Sequence, residues 1–378
     1  MDIREESLKK HADLAGKLSV VSKGKVDDMH DLSVYYSPGV GAVSAHLASA
    51  PDETPIYTGT NNSVAIVSDG SAVLGLGNIG AKAALPVMEG KAMLFNRFAG
   101  IDGYPVVLDV HTADEIVATV KAIAPSYGAI NLEDIAAPVC FEVEERLKNE
   151  LDIPIMHDDQ HGTAIVVLAG LLNSMEIVGK SLDQTRIAIV GAGAAGTAIA
   201  KLITLYAPKS QTLMVDSVGI ISSIRTDLNP QKKQLLEFTN RADINGSLDD
   251  AIEGADIFIG VSKPGLLTTE HIKSMSDKPV IFALANPDPE ILPELAKQAG
   301  AEIIATGRSD YPNQVNNALA FPGIFRGALD NQVSKITDQH KIAVAETIAS
   351  LVSEPSAEQI IPNVFDERLV GAIAKAIK

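Results

Sequence analysis

The sequence predicts an α/β protein in which an N-terminal α/β domain precedes a doubly wound parallel sheet. Three observations predict it. The chain has 378 residues, enough for two or three domains at about 150 residues each. Short apolar runs alternate with helix-length segments almost throughout, as strands joined by crossover helices do. From Arg186 onward the alternation is cleaner still, and one strand-to-helix junction there reads GAGAAG.

Taken in order, the first half offers strands at residues 64–67, 105–110, 129–132 and 153–156. Helical stretches at 81–95, 113–124 and 139–150 lie between them. A helix over 163–177 then reaches Gly179, a plausible stop. The division falls around this helix, with residues 1–160 as the first domain and 161–378 as the second. The second domain offers strands at 186–190, 212–215, 256–261, 280–284 and 302–305, with a helix from the glycine segment to about Tyr206.

Composition narrows the function. Hydrophobic residues make up 46% and charged residues 21%, an ordinary globular balance. Against 48 Asp and Glu stand 31 Lys and Arg, a net charge of −17. Such a surface repels phosphate backbones and anionic lipid, so neither nucleic acid nor membrane is the expected partner. An anionic substrate would need a local cation. The lone Cys140 excludes an intrachain disulfide and reads as a buried apolar residue. The N-terminus MDIREESLKKH has no apolar leader, and the apolar run over 164–172 falls short of the ~20 residues that span a bilayer. A cytoplasmic protein is expected.

Gly191, Gly193 and Gly196 form G-x-G-x-x-G directly after a strand and at a helix start. The first glycine permits a tight turn, the second lets a pyrophosphate approach the backbone, and the third lets helix pack on strand. The phosphates would meet the free N–H groups of the helix N-terminus. Asp216 ends the next strand, placed to accept from a ribose 2′-hydroxyl. No Arg or Lys follows until Arg225, which favours NAD, with NADP as the alternative. This is a Rossmann-type dinucleotide site. Gly75, Gly77 and Gly80 satisfy the same spacing, but Asp69-Gly70-Ser71 interrupts the approach, and Asp102 lies in GIDGYP, which reads as a turn. That copy is expected to be a loop near the active site.

Glu133-Asp134 and His157-Asp158-Asp159-Gln160-His161 each follow a strand. Ligands of open α/β sheets collect beyond such ends, so the acids could converge on one hard cation, Mg²⁺ or Mn²⁺. Helix capping explains the same acids equally well. The i, i+4 pair His157 and His161 suggests zinc less strongly, since the acids outnumber it. Lys91, in the apolar helical stretch PVMEGKAM, could be a base with a pKa lowered by desolvation, or a snorkelling surface lysine. Tyr35 and Tyr36 precede a Pro-Gly turn. Asn286 and Asn316-Asn317 lie beyond strand ends, where amides can orient a carboxylate.

The segments YYSPGV, VSDGSAVLGLGNIGAKAALPVMEGKAMLF, INLEDIAAPVCFEVE, HDDQHGTA, GAGAAGTAIA, GVSKPG, FALANPDPE and SDYPNQVNNALAFPGIFRGAL closely resemble the malic enzyme family in its short bacterial form. They run from about residue 35 to 330 in the family's order. The resemblance implies an N-terminal malic domain for substrate and metal and a C-terminal NAD-binding domain. It implies Tyr36 as general acid, Lys91 as general base, Glu133, Asp134 and Asp159 as metal ligands, and Asp158 as a partner beside Lys91. Asn286 and Asn317 would hold substrate carboxylates, with Asn286 also next to the cofactor. The implied reaction converts malate to pyruvate and CO₂ with reduction of NAD in a homodimer. A metal-dependent oxaloacetate decarboxylase on the same scaffold is the runner-up. Two departures stand out: Ser71-Ala72 replaces a segment that carries arginine in long members, and Asn96 stands where short members usually have lysine.

Overall fold

A computed structural model describes residues 2–378. Its first sheet is built of β1 (Ser63–Ser68), β2 (Asp102–Val107), β3 (Ala129–Leu132) and β4 (Ile155–His157), all parallel and ordered β2-β1-β3-β4. The second holds β5 (Arg186–Val190), β6 (Gln211–Val215), β7 (Ile257–Gly260), β8 (Val280–Ala283) and β9 (Ile303–Thr306), parallel and ordered β6-β5-β7-β8-β9. The α/β architecture is as expected.

Period-two alternation sends Ala65 and Val67 to one face of the first sheet, where Ile116, Val120, Val143 and Leu147 cover them. Val64 and Ile66 point to the other face, into a core that also contains Met88, Phe95, Ile187, Ile189 and Phe282. Both faces are buried, as parallel strands require. Cys140 is fully buried among the first set.

Two boundaries differ instructively. GIDGYP is not a turn: Asp102 and Gly103 open β2, paired with Ser63 and Val64. Glycine is needed there because a Cβ at residue 103 would lie 2.9 Å from Ala92 Cα. The helix after β4 starts at Asp158 rather than five residues later, and runs to Val178 before the left-handed Gly179. At 21 residues it is long and apolar enough to cross a bilayer by composition, but it is mostly buried inside the fold, against the helix Ala194–Tyr206.

The strand orders create two topological switch points, between β1 and β3 and between β5 and β7. Crevices for ligands open there, beyond the carboxyl ends of the strands. The N-terminal region contributes little to either core. Helices Ile3–Leu14, Met29–Tyr35 and Val40–Ser49 bury none of their residues, and Val20, Val21, Met29 and Ile56 are among many large apolar side chains exposed there.

Candidate active site

Helix Ala81–Ala99 turns Ala84, Met88, Lys91, Ala92 and Phe95 inward, the i, i+3, i+4 stripe of an amphipathic helix. Lys91 is therefore a core position, only 7% exposed, and not a snorkelling one. Its Nζ donates to Asp158 Oδ2 at 2.6 Å, pairs with Glu133 Oε1 at 2.8 Å and stands 4.2 Å from the centre of the Phe321 ring. Asp158 opens the helix after β4, and Glu133 follows β3. Acids from two strand ends thus meet one amine at the β1/β3 switch point.

The capping alternative for these acids is not how they are used. The helix after β4 has His157 at its N-cap position without a side-chain capping bond. Asp159 Oδ2 instead accepts from the Asp134 backbone N–H at 2.7 Å, tying the two acidic segments together. Asp134 is itself buried and has a left-handed backbone, φ 53°. Nor do the histidines pair on zinc: His161 Nε2 is engaged by Glu144 Oε2 at 2.8 Å, while His157 is buried with its Nδ1 3.9 Å from Asp159 Oδ2. Burial holds the His161 imidazole down at about 4.

The electrostatics reverse one expectation. Burial alone lowers the pKa of Lys91, as the apolar helix suggests. Asp158, Glu133 and Asp159 act the other way and prevail, holding the amine well above the ordinary lysine range. Burial in turn pushes the carboxyls up, Asp158 to about 7 and Asp159 to about 6, and raises Glu133. Four carboxylates, Glu133, Asp134, Asp158 and Asp159, gather about the one ammonium, an excess of acid that a bound cation would offset. Asp158 Oδ1 is buried and has no hydrogen-bond partner among the described residues. The donor set is all oxygen, which suits Mg²⁺ or Mn²⁺. Among the described residues, no three acidic, histidine or cysteine side chains already stand in coordinating geometry. Lys91 occupies the centre, so Glu133 would turn from the amine on binding a metal.

Asn317 closes the pocket from the second domain: a Cβ at Gly162 would fall 2.0 Å from Asp158 Oδ1 and 2.9 Å from Asn317 Cβ. Asn286 is exposed beyond β8. Its carbonyl abuts the first glycine loop, since a Cβ at Gly75 would lie 2.4 Å from Asn286 O. That loop takes residues 69–80 to pass from β1 to its helix, whereas residues 191–193 suffice after β5. The first copy is thus a long loop rather than a tight strand-to-helix turn. Tyr36 is 69% exposed, and no hydrogen bond or ring contact joins it to Lys91 in the same chain.

In the second glycine loop each residue has a physical reason. Gly191 has φ 120° and its Cβ would meet Val261 O at 2.6 Å; a Cβ at Gly196 would lie 1.8 Å from Gly191 O. Nothing lies within 4 Å of a Cβ at Gly193, which leaves room for a ligand on the helix N-terminus. Asp216 stands at the end of β6 but is already engaged. Arg225 grips both its oxygens at 2.8 and 3.0 Å, and Lys232 Nζ reaches Oδ2 at 2.6 Å. These cations overcome burial and hold the carboxyl far below its usual range.

Sequence reasoning missed Glu290. It is fully buried, and its carboxylate accepts from the Ser262 and Ala285 N–H groups, both at 3.0 Å. It thereby fastens the segments after β7 and β8 together, one of them carrying Asn286. Its only trace in the sequence is one acid in ANPDPE. Glu144, which accepts from the His157 N–H and His161 beneath the acid pocket, was equally silent.

A glycine-rich strand-to-helix loop at one switch point and a buried lysine–carboxylate cluster at another define the class: a two-sheet α/β enzyme with a dinucleotide-type loop. Residues 15–148 match the family model "Malic enzyme, N-terminal domain", and residues 160–377 match "Malic enzyme, NAD binding domain". The chain belongs to the malic enzyme family. It is 53% identical over all of its length to the bifunctional malic/malolactic enzyme of Bacillus subtilis, covering 92% of that protein. It is 51% identical over 96% of its length to an NAD-dependent malic enzyme of Geobacillus stearothermophilus, covering 76% of it. The crystal structure of the NAD-dependent malic enzyme of Thermotoga maritima is similar at a TM-score of 0.95 and 48% identity, covering 98% of both chains.

Proposed function

We propose that this chain oxidises and decarboxylates malate to pyruvate and CO₂ with reduction of NAD, in a divalent-metal-dependent reaction. The observation that carries this reading is Lys91, buried and bonded to Glu133 and Asp158 at two strand ends, with Asn317 beside Asp158. Residues 1–160 would carry substrate and metal, and residues 161–378 the dinucleotide.

Glu133, Asp134 and Asp159 would hold Mg²⁺ or Mn²⁺, which when bound would act as a Lewis acid toward the substrate oxygens and lower the pKa of Lys91 by engaging its carboxylates. Gly191, Gly193 and Gly196, with Asp216 at the next strand end, would hold NAD, whose chemistry when bound would be hydride acceptance. Lys91 Nζ takes the proton of the C2 hydroxyl, and Asp158 orients that amine and stabilises the ammonium that forms. Asn286 and Asn317 orient the carboxylates, and Asn286 also borders the cofactor. Tyr36 gives the proton that completes pyruvate.

Two groups of observations support the finer reading of assembly and place. The unburied N-terminal helices and their exposed apolar side chains fit a homodimer, and the exposure of Tyr36, away from the buried Lys91, fits its delivery by the second copy. The net charge of −17 fits a cytoplasmic enzyme of small molecules, malate, oxaloacetate and pyruvate, without nucleic acid or membrane partners.

The test is initial-rate kinetics on malate with Mn²⁺, comparing NAD with NADP and counting NADH against CO₂. A ratio of one supports oxidative decarboxylation. The Bacillus subtilis relative's second named activity gives a second reading, lactate as product with no net NADH. CO₂ released from oxaloacetate alone, with malate untouched, would assign the chain as an oxaloacetate decarboxylase.

A further inference from the structure

We propose that a cavity at the amino-terminal edge of the second sheet is a binding site for a small phosphate-bearing anion, separate from the substrate and dinucleotide sites. The cavity, about 290 Å³, lies where β5 and β6 begin and is lined by Arg186, Lys209, Ser210, Thr212, Asn240 and Arg241 among others. Three cations line it and no aspartate or glutamate does, in a chain whose acids outnumber its Lys and Arg by 48 to 31.

Among the described residues, none of the three cations is in an ion pair within 4.0 Å. Arg186 Nη2 donates to the carbonyl of Asp250 at 2.6 Å, and Arg241 Nη1 donates to the carbonyl of Pro208. Arg186 Nε is buried without a protein partner among the described residues. The nearest acids are otherwise engaged. Asp256 accepts from the Arg186 backbone N–H and pairs with Lys180, and Asp183 accepts from the Lys209 backbone N–H. With no carboxylate on the cavity wall itself, these like charges repel across it, and an anion seated there relieves them. The buried hydroxyls of Ser210 and Thr212, 3.3 Å apart, add neutral donors. Two guanidinium forks, an ammonium and two hydroxyls match the several acceptor oxygens of a phosphate better than a lone carboxylate.

Position separates this site from the dinucleotide. Arg186 opens β5, which ends at Val190 before the glycine loop, and Gln211 opens β6, which ends at Val215 before Asp216. Five residues at ~3.3 Å each put the two sites about 17 Å apart at opposite ends of the same strands. An anion in the cavity cannot touch the nucleotide phosphates, yet it bears on the two strands that carry their binding loops.

The test is calorimetric titration of the full-length protein, saturated with NAD and at constant ionic strength, with inorganic phosphate, glycerol phosphate and chloride as separate probes. The wild type should bind one phosphate or one phosphate monoester per chain, with chloride silent, and the arm with the higher affinity identifies the source. The double variant Lys209→Gln, Arg241→Gln changes two exposed residues and should lose at least tenfold in affinity with an unchanged melting temperature. Equal binding by wild type and variant means an adventitious ion only and overturns the site. So does no saturable binding by the NAD-saturated wild type.

Discussion

Replacing Lys91 with alanine separates the electrostatic role of this residue from its chemical one. The amine is buried and bridges Glu133 and Asp158. Removing one partner of a buried ion pair costs about 3–5 kcal/mol. Here protonation limits the cost, because Asp158 is already raised to about 7 with the lysine present and climbs further without it. A raised carboxyl destabilises the fold above its folded pKa, and the penalty disappears as pH falls below the unfolded value. The deficit of the variant should therefore be largest above pH 7 and shrink toward pH 4. At roughly 1–2 °C per kcal/mol for a chain of this size, melting at pH 8 should fall by about 3–10 °C. Mn²⁺ should restore more of that loss in the variant than it adds to the wild type, since a cation replaces the missing ammonium. Malate oxidation, followed as NADH absorbance, should drop about 10²–10⁴-fold while NAD still binds. Melting within a degree of wild type together with an equal Mn²⁺ shift in both proteins would refute the charge argument. Retained turnover would refute the base.

Further outcomes follow from other parts of the site. Gly196→Ala forces a Cβ to 1.8 Å from Gly191 O, and because both atoms belong to backbone, NAD affinity should fall at least tenfold in a fluorescence titration. Lys232→Ala frees one Asp216 oxygen for a ribose hydroxyl and removes a cation from the strand end. The ratio of kcat/KM for NAD to that for NADP should rise about tenfold, and a fall would show that Lys232 does not face the 2′ position. For the shared-site reading, mixing inactive Tyr36→Phe with inactive Lys91→Ala protein should regain activity after subunit exchange, up to about a quarter of the wild type. Continued silence in a verified mixed dimer would assign both residues to the same chain.

What the sequence revealed and what it hid divide along a physical line. Strands were legible because parallel strands buried on both faces must be short unbroken apolar runs, so 129–132 and 186–190 agree with the structure residue for residue. The glycine loop was legible because its requirements are local: a turn at Gly191, a packing contact at Gly196. The start of β2 was hidden because Gly103 is there for Ala92, a neighbour from the preceding helix. The start of the core helix was hidden because its first turn is spent on acids that serve other strands.

Charge state was the least legible property of all. Lys91 alone, in PVMEGKAM, argues for a depressed pKa; Glu133 and Asp158, arriving from two other strand ends, reverse the sign. Asp216 alone argues for a free ribose acceptor; Arg225 and Lys232, nine and sixteen residues onward, fold back and fill it. Local pattern places a titratable group at a strand end, but the neighbours that set its proton affinity come from elements that only the topology brings together. For the same reason Glu290, which holds two of those strand ends in register, carried no signal: a buried carboxylate serving two backbone N–H groups looks, in sequence, like any other acid after a proline.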